Sequence, residues 1–273
     1  MLRKLIKYEI LADWKKYVIV SAALFLVSIM LLITNKTSQH IANKEFVNFV
    51  TGILVSIFFA AAICAIAMLF VFSAIRFYKS FIRDEGYLTH TLPVHTWQLI
   101  ASKIIAVYIW FIVLLVILAI CVGIASGEPL WLFHYIRNGS ETLSLALNRF
   151  GQEAAQSLIK TFIEGTLLIS LMPAIYMARI FLCFALGNLF NKNKLMMSVL
   201  MFFVVSFVER IITSLVSFAI FADLMTSYEE ASTEHILSTS VNAVQISLIF
   251  SVIVMVGSLI ASERIFAKRL NLE

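Results

Sequence analysis

The sequence predicts an all-α fold: a polytopic membrane helix bundle with about six transmembrane helices. Three observations predict it. Hydrophobic residues make up 61% of the chain and charged residues only 14%, whereas soluble domains hold roughly 45–50% and about a quarter. The apolar residues gather in runs of about 20, the length a helix needs to cross a bilayer. Pro is scarce, with 3 residues, and the 9 Gly follow no repeat, which favours long helices over the short alternating strands of a membrane β-barrel. Within lipid a helix satisfies every backbone N–H and C=O inside its own segment.

The first element is the N-terminal segment 1–16. MLRKLIKYEILADWKKY places Leu2, Ile6, Ile10 and Trp14 at a four-residue step, with Leu5 beside them and lysines opposite. That pattern favours an amphipathic interfacial helix lying in the inner headgroup layer before the chain turns into the membrane; the other reading is a plain extension of the first span. The leader is long and lacks a small-residue cleavage pattern, so it is not read as a cleaved signal. Six spans follow: Tyr17 to Ile33, Phe49 to Ile75, Ile104 to Ala125, Phe162 to Leu186, Leu195 to Phe221 and Val241 to Ala261. The outer segment 127–161 has helical spacing and can run on into the fourth span. The connection from Ala222 to Ser240, acidic and rich in Ser and Thr, reads as a solvated loop.

Basic residues orient the bundle. Arg3, Lys4, Lys7, Lys15 and Lys16 precede the first span, and Arg76, Lys79, Arg83 and Lys103 join the second to the third. Lys192 and Lys194 join the fourth to the fifth, and Arg264, Lys268 and Arg269 follow the sixth. These are most of the 21 basic residues, so both termini are expected in the cytoplasm. The net charge of +5 is then a topology signal, and no nucleic-acid partner is implied. Trp14, Trp97 and Trp131 fall near expected interfaces, whereas Trp110 lies deeper and reads as packing. Cys64, Cys121 and Cys183 sit within spans, without disulfide or zinc spacing, and read as small buried hydrophobes.

Motifs for catalysis are absent. The chain has no G-x-x-x-x-G-K-[ST] loop, no H-E-x-x-H and no G-x-S-x-G, and its five histidines are dispersed. No catalytic residue, cofactor site or metal site is assigned. Charges at membrane depth are expensive and mark functional candidates. The sequence offers Glu164 and Arg179 in the fourth span and Glu209 and Arg210 in the fifth. Glu209 and Arg210 stand about 100° apart on a helix, so they face different ways. Arg210 pairing with Glu164 is the preferred arrangement, with Arg179 reaching to the inner interface. A re-entrant segment over Glu209 to Asp223, or simple surface exposure, are the other readings.

The most polar stretch is the cytoplasmic loop 76–103, RFYKSFIRDEGYLTHTLPVHTWQLIASK. Phe77, Tyr78 and Phe81 can continue the second helix; Asp84-Glu85-Gly86 ends it, Leu92-Pro93 marks a second boundary, and Thr96 to Lys103 starts the third helix. A structured hairpin of this kind is suited to docking a partner.

DEGYLTHTLPVHTWQLIASK resembles the cytoplasmic loop of small bacterial ABC-2-type permeases. The matching positions are Asp84, Glu85, Gly86, Tyr87, Leu88, Thr89, Thr91, Leu92, Pro93, Val94, Gln98, Ser102 and Lys103. The likeness covers about 20 residues, and the six-span layout agrees with it. One departure is the long outer segment between the third and fourth spans, where many relatives place their outer helices before the last span. The resemblance implies one single-domain permease chain, 1–273, of an ATP-driven exporter in a bacterial cytoplasmic membrane. A second permease chain would face it, and ATPase chains carrying ATP and Mg would dock beneath. Asp84, Glu85, Gly86, Tyr87, Leu88, Thr89, Leu92, Pro93 and Val94 would form the ATPase coupling element. The alternatives are a stand-alone secondary transporter or channel, and a membrane scaffold or sensor subunit.

Overall fold

The computed structural model describes residues 2–38, 44–81, 96–127, 131–190, 193–226 and 233–269. Six helices account for nearly all of them: α1 Leu2–Ser38, α2 Lys44–Phe81, α3 Thr96–Ser126, α4 Trp131–Gly187, α5 Lys194–Thr226 and α6 Thr233–Arg269. Each is long and apolar enough to cross a membrane. Their surfaces confirm which solvent they fit. Ile19, Phe59, Ile63, Phe162, Phe203 and Phe207 all stand exposed on helix faces. Soluble monomers rarely show contiguous apolar patches beyond a few hundred Å², whereas lipid tails cover such faces at no cost. The chain is a multi-pass helical membrane protein.

The chain divides into two compact units, Met1–Arg76 with Ala101–Gly139, and Phe77–Ile100 with Ser140–Glu273. In the first, α1 buries a single stripe of Asp13, Tyr17, Leu24, Ser28 and Leu31. The steps of three, four and seven residues keep one helix face inward. Tyr17 packs its ring on Trp110 of α3, centroids 4.4 Å apart, and against Phe72 of α2. Trp110 is thus a packing residue, as its depth predicts. Near the other end of α1, Asn35 donates to the Ala125 carbonyl at 2.8 Å. Gly127 then ends α3 at φ +75°, the left-handed position glycine occupies without penalty, and donates back to Ile124.

The second unit is organised on aromatic rings. Phe77 and Phe81, one turn apart at the end of α2, stack 4.8 Å from one another, and Phe77 lies 4.1 Å from Phe181 of α4. Phe266 of α6 meets Phe77 and Phe81 edge-on. Such pairs add about 0.5–1.5 kcal/mol each beyond area burial. The end of α4 and the start of α5 approach closely. A β-carbon at Gly187 would lie 2.7 Å from the Ser198 backbone, so only glycine lets α4 and α5 approach there. Asn193 takes φ 53°, which Asn tolerates, just before α5 begins.

Several expectations are borne out. α2 continues through Phe77 and Phe81, α3 starts at Thr96, and from Trp131 the expected outer segment is helical and continuous with the fourth span in α4. Others need correction. α1 runs without a break from Leu2 to Ser38, so the turn expected after the N-terminal segment is not made. No Gly or Pro interrupts it, and its inward face at that level carries Glu9 and Asp13, held by ion pairs, while Trp14 of the expected apolar face is exposed. α5 likewise continues through Glu209 to Thr226, which rules out a re-entrant break in that stretch. The expected loop 222–240 is helical over 222–226 and 233–240, while 227–232 lie outside the described residues. Cys121 and Cys183 are buried, but Cys64 is exposed, one residue and so about 100° around the helix from buried Ala65.

Candidate functional site: two charge clusters on the helices

The first cluster assembles from α1, α2 and α3. Glu9 divides its carboxylate between two helices. Its Oε1 accepts from Lys103 Nζ of α3 at 2.7 Å, and its Oε2 from Arg76 Nε of α2 at 2.5 Å. One turn on, Asp13 lies 3.8 Å from Arg76 Nε and accepts from Lys16 Nζ at 2.7 Å. Lys16 also stands over the Phe72 ring, 5.3 Å from its centroid. The four-residue step puts Glu9 and Asp13 on one face of α1, the same face that buries Tyr17. Lys103 is only 6% exposed. A charge so enclosed is tolerable only when paired, and removing one partner of such a group costs about 3–5 kcal/mol. The cluster therefore joins α1 to the last turns of α2 and the first turns of α3.

Charge counting assigned Arg76 and Lys103 only to topology, and it passed over Glu9 and Asp13. The available signal was two acids one turn apart in a leader otherwise rich in lysine.

The second cluster lies on α4, α5 and α6. Arg179 of α4 forms an ion pair with Glu209 of α5, and its guanidinium also lies over the Tyr176 ring, 5.1 Å from the centroid. Apart from this cluster, about 15 residues or ~22 Å back along α4, Gln245 of α6 donates to Glu164 at 2.9 Å. A cavity of about 220 Å³ opens beside the ion pair, lined among others by Tyr176, Ser206, Arg210, Thr213 and Ser251.

The partners differ from those expected. Among the described residues Arg210 does not pair with Glu164, whose partner is Gln245, and Arg179 pairs with Glu209. The reason is register. Gly187 packs against Ser198, so residues at equal distances before the one and after the other stand level. Arg179 is then level with Ser206, within a turn of Glu209. Glu164 is level with Phe221, about eleven residues or ~16 Å along the axis from Arg210. Span boundaries alone do not give that alignment. The proposed coupling residues Asp84, Glu85, Gly86, Tyr87, Leu88, Thr89, Leu92, Pro93 and Val94 lie outside the described residues.

Comparison of the chain with protein-family models, with curated proteins and with solved structures gave no match. Fold and composition define the class: a helical protein with six candidate membrane spans.

Proposed function

We propose that the chain is the permease subunit of an ATP-driven exporter, energised by a separate ATPase that holds ATP and Mg. It would work with a second permease chain in a bacterial cytoplasmic membrane, both termini inside, on a peptide, drug or lipophilic cargo. The observation that carries this reading is the stem of the polar insert. Residues 82–95 stand between α2 and α3, and Arg76 and Lys103 on those two helices both bind Glu9 of α1. A force on the insert would therefore move three helices rather than bend one loop. The resemblance of Asp84 to Val94 to a permease coupling loop supports the same reading. For the cycle to be driven, nucleotide bound on the ATPase has to favour one arrangement of the insert over another, since only differential affinity shifts an equilibrium.

The test is co-purification. Solubilised chain should carry an ATPase with it, and Glu85→Lys should abolish this while the melting curve stays unchanged. Co-purification that survives Glu85→Lys and loss of the 84–94 segment would remove the insert from the interface.

A stand-alone secondary transporter is the second reading, favoured by the Arg179–Glu209 pair and its cavity, since such proteins bind ligands between helices at membrane depth. Against it, α4 runs through Pro173 without a break, and secondary transporters typically build their sites on broken helices. Cargo movement by the purified chain in vesicles without any nucleotide would decide for it.

A further inference from the structure

The cavity on α4, α5 and α6 contains an imbalance of charge. Arg179 and Glu209 neutralise one another. Arg210, which lines the same cavity, has no ion pair among the described residues. Its position on α5 is about 16 residues, or ~24 Å, beyond the helix start at Lys194, within a candidate span that ends at Ala219. A lone guanidinium at that depth is unfavourable unless an anion meets it. Ser206 stands four residues before Arg210 on the same face. Its Oγ is buried, lines the cavity and makes no hydrogen bond among the described residues. Serines inside helices usually donate to their own backbone, as Ser198 does to Lys194. Ser206 thus offers an unused hydroxyl one turn from Arg210, an exposed residue.

The volume narrows the ligand. At about 220 Å³ the cavity is smaller than the ~300–1,000 Å³ of whole-ligand pockets, so it suits a headgroup rather than a complete drug-sized molecule. The faces of α5 beside it expose Phe203, Phe207 and Ile211, which fit an acyl chain left in the bilayer.

We propose that this cavity seats the oxyanion, phosphate or carboxylate, of a net-anionic amphiphile's headgroup, one without a choline-like cation to face the Arg210 guanidinium. The Arg210 guanidinium binds it and the Ser206 hydroxyl donates to it, with Arg179 kept neutral by Glu209. The site stands whether or not the chain is a transport subunit, because binding needs no ATPase.

The experiment uses the full chain in nanodiscs of phosphatidylcholine with a minority of phosphatidylglycerol, read by native mass spectrometry of retained lipid. Phosphatidylglycerol should be retained selectively. Arg210→Gln should lower that selectivity by about tenfold or more, the equivalent of one charged hydrogen bond, and Arg210→Lys should restore part of it. Glu209→Gln, which releases Arg179, should leave selectivity intact or raise it. A role in packing alone would lower selectivity in both neutralising substitutions. Equal retention of both lipids, or selectivity unchanged in Arg210→Gln, would overturn the proposal. If Arg210→Gln does not fold, a fall in selectivity on Glu209→Gln overturns it instead. Inorganic phosphate alone is the control for source: weak competition supports an amphiphile, and full displacement would assign the cavity to the free anion and overturn the headgroup.

Discussion

Glu9 is a single carboxylate with an unusual share of the architecture, one oxygen bonded to Lys103 and the other to Arg76. Neutralising it leaves two cations facing each other in a largely enclosed site. Glu9→Gln should therefore lower stability by about 3–5 kcal/mol, measured as a fall in melting temperature in detergent. Surface ion pairs contribute about 0–1 kcal/mol, so a change that small would place Glu9 in the solvent instead. Arg179 and Glu209 follow the same logic on α4 and α5, where the Tyr176 ring adds a cation–π contact.

For the helices, the question is whether the first cluster stabilises the bundle or determines how its elements move together. Desolvating ions is costly, and apolar replacements of similar volume are often neutral or better. The triple variant Glu9→Leu, Arg76→Met, Lys103→Met should thus melt within about 1 kcal/mol of the unmodified protein, well above Glu9→Gln alone. If the proposed function holds, the same variant keeps its ATPase partner but loses nucleotide-driven transport, because α1 no longer follows the insert. Aromatic stacking is a separate restraint: Phe77 and Phe81, last residues of α2, bind α4 and α6 through Phe181 and Phe266. In the N-terminal segment, long-range ion pairs override the local apolar pattern. Its apolar step pointed to a helix lying on the membrane, but its two acids find partners on α2 and α3, and an unbroken α1 places them there.

On the scale of the whole molecule, the prediction concerns sidedness. In a background with Cys64, Cys121 and Cys183 replaced, Lys7→Cys and Lys192→Cys should react with a membrane-impermeant maleimide only in inside-out vesicles. Lys36→Cys and Arg137→Cys should react only in right-side-out ones. Labelling of the two pairs from the same side would refute the six-span topology, and an exchange of sides would invert it. The result bears on the proposed function directly, since an insert outside the cell could meet no cytoplasmic ATPase.

The sequence by itself determined the class of protein and the number of candidate spans. Hydrophobic run length is a local property, and lipid forces each run into its own hydrogen-bonded helix. It also singled out Glu164, Arg179, Glu209 and Arg210 as the charged residues within the apolar runs of the fourth and fifth spans. Which of them meet was decided only by tertiary structure. Pairing depends on the relative height and rotation of neighbouring helices, set here by Gly187 against Ser198, and no periodicity within one helix encodes that offset. The same holds for Glu9, Arg76 and Lys103, which are separated by 67 and 94 residues along the chain from Glu9 and become neighbours only when three helices pack.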